Sequence, residues 1–412
     1  MSIRLWHATL AASVALAPAA LSAQSAAPVG PSPAVIAMRD QWLNPAVNSF
    51  TFRETDKVFE SRDVPRSGPV WPLVNGSMLA MPAHQSGGTT MTYGAWADRT
   101  FTNALLVMKD GKVVFEDYRN KSDAATRFVS FSMAKTFTAL LVGIALGEKK
   151  IRSLDDKVSD YVPELKTGGY GNAAIRQVLQ MRSGVDYEER YDFGANPSLA
   201  ATIHTKAIVR NQMRFADPAM TIGKKTAPGS TFNYATLDTA VLGWILEQAT
   251  GEKLETYTAS RLWGPLGAEA SAFWMADGPP GNGRALNGMG YNAVLRDFAR
   301  LGQLMLDGGQ ANGKQVIPTG WVSQMTAMIP FPDQYARKAE FKGYGFQTWQ
   351  VDDEPGAYSA VGLGGQFIYV HPKTRTVIVK LSYNPPVEPE WLTGEVIDYF
   401  HAIVRAPVTA KP

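Results

Sequence analysis

FVSFSMAKTFTALLVGIALGEKK (residues 128–150) is apolar for most of its length, yet it carries one lysine, Lys135, near its start. Its length and its want of Gly/Pro breaks until Gly143 read as a buried helix. Ser132 precedes the lysine by three residues, and residues three apart share a helix face. From Thr136 to Gly147 there is no charge. A lysine held among apolar groups loses hydration of its ammonium form, so its pKa falls. A neutral amine beside a hydroxyl is a general base beside a nucleophile. On this reading the charge is tolerated because the amine is neutral much of the time. With 23 serines and 19 lysines in the chain, chance alone supplies an S-x-x-K, and a solvent-facing first-turn lysine is the competing reading. The setting, not the tetrapeptide, carries the argument.

Outward from this helix the pattern changes period. NALLVMKDGKVVFEDYR (103–119) is two β-rich runs around Asp110-Gly111, a hairpin signal. GGQFIYVHPKTRTVIVKLSY (364–383) repeats it around Pro372 to Arg375. Between them the signals are helical. LDTAVLGWILEQATG sets Leu237, Ala240, Val241, Trp244 and Ile245 on one face and stops at Gly251. LRDFARLGQLMLDGG does the same up to Gly308, and residues 389–404 read as a last helix. The expected fold class is α+β: an antiparallel sheet built from both chain ends, flanked by helices, with a helical region inserted. The expected lobes are an α/β lobe over about 36–130 and 290–412 and a helical lobe over about 131–289. The Pro/Gly-rich stretch 277–288 is expected to mark the return from the helical region.

The chain has 412 residues, 45% of them hydrophobic, which suits one large domain or two lobes around a sizeable core. A net charge of +3 with no Lys/Arg run longer than two argues against a nucleic-acid partner. The absence of cysteine removes disulfides, thiolate metal sites and cysteine nucleophiles together. MSIRLWHATLAASVALAPAALSAQ has Arg4, an apolar run to about Ala20, then small residues. It reads as a secretory signal peptide over 1–23, cleaved near Ala23, because the apolar run falls short of the ~20 residues a membrane span needs. The mature protein is expected in the periplasm or outside the cell, with no stable membrane span. Residues 24–35 are expected to be disordered.

A Ser/Lys pair needs a group to carry the proton to the leaving atom and donors for the oxyanion. Tyr234, in APGSTFNYATLDTAVLGW, precedes a helix and could point into a cleft; a tyrosine packed under a loop is the alternative. SAVGLGGQF (359–367) offers Gly362, Gly364 and Gly365, which let backbone approach a ligand closely; a bulged edge strand is the alternative. Rival chemistry is thin. There is no G-x-S-x-G, no Walker or dinucleotide glycine pattern, and the five histidines show no metal spacing. No metal or cofactor is expected. DYEERYD (186–192) offers a carboxylate pair, but a solvated acidic loop is the favoured reading, and Met289, Met305 and the tryptophans read as core.

SMAK (132–135), YAT (234–236) and AVG (360–362), in this order, resemble the three motifs of the serine β-lactamase and penicillin-binding superfamily, on its class C side. Residues 147–165 and 173–185 resemble the segments that follow the family's nucleophile helix, and the likeness spans roughly 100–385. LLVMKDGKVVFEDYR, VSDYVPEL, FNYATLDTAVLGWI and GLGGQFIYVHPKTRTVIVKLS are most similar to the 6-aminohexanoate-dimer hydrolases, amidases of nylon oligomers, and their esterase relatives. The resemblance implies a serine hydrolase of small esters or linear amides working through an acyl-enzyme. It implies Ser132 as nucleophile, Lys135 as its base, Tyr234 as proton carrier, and the backbone N–H groups of Ser132 and Leu363 as the oxyanion hole. Tyr191 matches a tyrosine that contacts the substrate amide, and Thr236, Gly362 and Gly364 fall where substrate binds. Two departures stand out. Ala360 replaces the lysine of K-T-G, which argues against efficient β-lactamase or D-Ala-D-Ala carboxypeptidase action. Thr236 replaces Asn or Ser but keeps a hydroxyl for Lys135. A non-catalytic envelope binding protein on the same fold is the reading of another class. Natural substrate and oligomeric state are not written in these motifs.

Overall fold

The structure is a computed structural model that describes residues 30–332 and 340–408. The expected signal peptide, residues 1–23, lies outside the described residues. Part of the stretch expected to be disordered is ordered: Pro33–Asp40 is a helix, with the Ser32 side chain accepting from Val35 N–H and proline at its first turn. Serine followed by proline is a helix start that composition alone conceals.

A nine-stranded sheet is the frame. Its order is Ile329–Pro330, Gly343–Tyr344, Trp349–Gln350, Tyr358–Gly362, Gln366–His371, Thr376–Ser382, Thr102–Lys109, Lys112–Tyr118 and Val74–Asn75. All pairs are antiparallel except the last, at the edge. Both predicted hairpins are present, and they join: Thr376–Ser382 pairs with Thr102–Lys109 from Thr376↔Lys109 to Ser382↔Thr102. The early and late parts of the chain thus meet at the sheet centre. Side chains alternate along a strand. Leu106 and Met108 enter one core, while Leu105 and Val107 enter the other. This is why the strand reads as a continuous apolar run. The Leu295–Leu306 helix covers the first face. Gly302 lets it lie close, since a Cβ there would meet Val377 Cγ1 at 2.5 Å. Tyr93–Arg99 and Glu390–Arg405 contribute to the second core.

A second, four-stranded sheet was not legible: Ser61–Val64, Ala272–Met275, Tyr291–Val294 and Arg127–Val129, in that order. Residues 277–288 are therefore not the return from a helical region. They lie inside the connection between two paired strands, Ala272–Met275 and Tyr291–Val294.

Two helices carry site residues at their N-terminal ends. Met133–Gly147 is buried from Met133 to Ala145. Thr236–Thr250 ends, as expected, on Gly251 in the left-handed region at φ 72°. Its expected one-sided apolar face is an understatement, since every residue from Thr236 to Leu246 is buried. Gln347 ties the two elements to a third: Thr136 Oγ1 donates to its main-chain carbonyl at 2.6 Å, Thr239 Oγ1 to its side-chain Oε1 at 2.6 Å, and its Nε2 donates to Leu179 O at 2.9 Å.

Candidate active site

Ser132 is the residue before the Met133–Gly147 helix, and its hydroxyl makes no capping bond. Serine at that place ordinarily accepts from the first-turn N–H groups. Here Ser132 Oγ instead accepts from Lys135 Nζ at 2.9 Å. The turn that delivers it is strained. Phe131 sits at φ 43°, a conformation that costs a bulky L-residue about 1–2 kcal/mol. Its ring packs against Phe52 and Trp42, with centroids 4.8 and 5.2 Å away. That packing holds the backbone where the serine needs it.

Lys135 is 1% exposed. Its Nζ donates to three acceptors: Ser132 Oγ, Thr236 Oγ1 at 3.0 Å and Gly288 O at 2.7 Å. Gly288 must be glycine for this, because a Cβ would meet Thr236 Cγ2 at 2.8 Å. Burial pulls the lysine pKa down to about 8, with Glu189 pulling in the opposite direction. At pH 7 about a tenth of the amine is then neutral, against on the order of one part in three thousand for an ordinary lysine. This corrects the expectation that the charge is absent much of the time. The ammonium is the main form at pH 7, and three acceptors satisfy its three hydrogens.

The half-buried Tyr234 ring lies over this amine, 5.0 Å from Nζ to the ring centroid. Trp349 stacks beside it at 5.3 Å and Tyr344 meets it edge-on at 6.2 Å. Trp349, expected in the core, is partly buried against both cores and also flanks Tyr234. Trp391 is not core, being 40% exposed under Arg99.

The strand end Tyr358–Gly362 runs into the Ser132 turn. A Cβ on Gly362 would meet Ser130 O at 2.3 Å and Phe131 Cβ at 3.2 Å. Only glycine permits that approach. It brings Leu363, 45% exposed, next to the turn. Gly364 follows at φ 74°, against Phe52. Among the described residues, no protein acceptor takes the backbone N–H of Ser132 or of Leu363. Ala360, two residues earlier, pairs with Ile368 and is buried.

The acidic loop supplies the residue that sequence reading missed. Asp186, Glu188 and Asp192 are exposed, as expected. Glu189 is turned inward. Its Oε2 accepts from Thr236 N–H at 2.6 Å and its Oε1 from Thr236 Oγ1 at 2.9 Å. The Tyr191 hydroxyl donates to the same Oε1. Tyr191, 47% exposed, is thereby tied to the site through Glu189 and Thr236. Phe193 stacks on it at 6.3 Å and is exposed too. No sequence signal separates Glu189 from the acids around it.

Among the described residues, no group of three or more His, Asp or Glu could hold a metal ion, and no helix is long and apolar enough to cross a membrane. What converges is a hydroxyl, a buried amine, a phenol-bearing ring and a backbone edge. That is the equipment of acyl transfer by a serine.

The comparisons agree on the class. The beta-lactamase family profile matches residues 78–393, and the chain belongs to that family as a serine hydrolase. It is 31% identical over 355 residues to the 6-aminohexanoate-dimer hydrolase of Paenarthrobacter ureafaciens, covering 84% of this chain and 88% of the relative. It is 26% identical over 271 residues to penicillin-binding protein 4 of Amycolatopsis lactamdurans, covering 59% of this chain and 68% of that one. A Bacillus anthracis structure with a provisional 6-aminohexanoate-dimer hydrolase assignment superposes with TM-score 0.76 at 24% identity, covering 88% of this chain and 95% of its own. A family VIII carboxylesterase superposes with TM-score 0.56 at 15% identity, covering 75% and 96%. These two establish the fold.

Proposed function

We propose that the chain hydrolyses small esters or linear amides through an acyl-enzyme on Ser132. The observation that carries this is the Ser132 Oγ–Lys135 Nζ pair at 2.9 Å, with the amine buried and its proton affinity lowered. Neutral Lys135 takes the Ser132 proton as Oγ attacks the carbonyl carbon. The oxyanion forms against the N–H groups of Ser132 and Leu363. Tyr234 gives its phenolic proton to the leaving oxygen or nitrogen as the scissile bond breaks, and the proton on Lys135 replaces it. Water then attacks the acyl-serine by the same steps in reverse order, releasing the acid and restoring Ser132. No step needs a metal or cofactor.

Two observations bear on substrate. A methyl group at Ala360 cannot hold the carboxylate that β-lactams and D-Ala-D-Ala peptides present, which favours esterase or amidase action over the β-lactamase or carboxypeptidase reading. The exposed rings of Tyr191 and Phe193 lie in the segment that Glu189 ties to Thr236, which supports an apolar acyl or amine chain. The Paenarthrobacter relative, named for a linear amide dimer, supports the amide branch. The test is turnover of a p-nitrophenyl ester by wild type and Ser132→Ala. The variant is expected to lose at least about a thousandfold, as removal of a serine nucleophile does. Equal rates in both would remove Ser132 from the mechanism.

A further inference from the structure

We propose that Glu189 is a positioning residue for Lys135, acting through the Thr236 hydroxyl. The proposal rests on the reading of Ser132 as nucleophile and Lys135 as its base. Each hydrogen in the chain can be placed. Thr236 Oγ1 contacts both Lys135 Nζ, at 3.0 Å, and Glu189 Oε1, at 2.9 Å. A carboxylate cannot donate, so the single hydroxyl hydrogen goes to Glu189. The oxygen is then left to accept from Lys135. Gly288 O, at 2.7 Å, can also only accept. Two acceptors claim the two hydrogens of the neutral amine, and its lone pair has one direction left, toward Ser132 Oγ.

Glu189 is itself fixed. Its second oxygen takes the Thr236 N–H at 2.6 Å, so one carboxylate grips one residue twice. Thr236 opens a fifteen-residue helix whose first turn has no side-chain cap of its own. The free N–H groups there favour a carboxylate. The groups facing Lys135 are Ser132, Thr236, Glu189 and the Tyr234 ring. Those facing Glu189 are Thr236, Tyr191 and Tyr187, with Lys135 and Asp238 within electrostatic reach. Of these, Glu189 is the group that opposes the effect of burial on Lys135.

Glu189→Gln removes the charge and sets an amide where three donors, the Thr236 N–H, the Thr236 hydroxyl and the Tyr191 hydroxyl, point at a carboxylate. Lys135 should then lose its proton at lower pH, and the Thr236 hydroxyl should be free to turn toward the amine. The test is the rate of Ser132 labelling by a fluorophosphonate against pH, followed by intact mass, on the full chain. Wild type, Glu189→Gln, Thr236→Val and the double variant are compared, with thermal melts alongside. The expected result for Glu189→Gln is a limb roughly one pH unit lower than wild type. Its plateau rate should fall about tenfold, since misaiming a base forfeits much of its contribution. Thr236→Val keeps the side-chain volume, cuts the same chain and should lower the plateau similarly. The double variant should be no slower than the slower single one. A merely structural role would lower the melting temperature and leave the limb in place. A folded Glu189→Gln with the wild-type limb and plateau overturns the proposal, as do fully additive losses. If Glu189→Gln does not fold, an unchanged plateau in folded Thr236→Val overturns it. Failure of wild type to label at Ser132 overturns the nucleophile reading and this proposal together.

Discussion

Lys135 shows how one residue can be both a fault in the core and the tool of the site. Its burial costs hydration, and that cost lowers its proton affinity to about 8. Two consequences follow with definite sign. On the proposed mechanism Lys135 acts when neutral, so kcat/KM for a small ester should rise with pH and level off through a limb near 8; a pH–rate profile checks this. The folded pKa also lies below the unfolded value of 10.5. The unfolded state therefore binds more protons between about 8 and 10.5, and stability gains with pH across that window. Below it the cost is present in full. Urea midpoints of wild type and Lys135→Met should converge as pH rises from 8 to 10, and parallel curves would contradict the account. The Ser132–Lys135 pair was legible because a helix has a fixed period and the residues after it are apolar. Glu189 was not. It sits in a run of acids, and only tertiary packing decides which of them turns inward.

At the scale of elements, the site is an intersection of three chain segments that sequence keeps far apart. The strained turn at Phe131 aims the serine, the first turn of the Thr236–Thr250 helix holds the lysine and follows the tyrosine, and the Tyr358–Gly362 strand ends against the turn. Gly362 is the tightest joint. Gly362→Ala would set a methyl 2.3 Å from Ser130 O, which is backbone and cannot swing away. The strand must shift, and Leu363 N–H with it. If Leu363 N–H is the oxyanion donor proposed above, the expected loss in kcat is about a hundredfold, with the protein still folded. Steady-state kinetics beside circular dichroism would show it. The two hairpins were legible because turn chemistry and alternation are local. The four-stranded sheet was not, since SRDV (61–64) and RFV (127–129) are three or four residues long and find partners across the chain. The Thr236–Thr250 helix reads as one apolar face, but up to Leu246 it is buried on every side.

At the scale of the molecule, the two hairpins zip the early and late segments into the sheet centre, and the strand end that meets Ser132 belongs to the same sheet. Stability and site geometry should therefore be separable. Leu105 is fully buried in the second core, whose buried members include no residue of the three motifs. Leu105→Ala should lower the unfolding free energy by about 2–5 kcal/mol in urea titrations. It should leave turnover per labelled Ser132 unchanged; a matching loss of turnover would mean that the sheet centre and the site are coupled. The most direct test of the central claim is a side-by-side assay of p-nitrophenyl acetate, 6-aminohexanoate linear dimer and nitrocefin with wild type and Ser132→Ala, with intact mass taken during ester turnover. The account predicts an acetyl group on Ser132 in wild type, ester or dimer hydrolysis that the variant lacks, and little nitrocefin turnover. Ester hydrolysis that survives Ser132→Ala, or fast nitrocefin turnover despite Ala360, would contradict it.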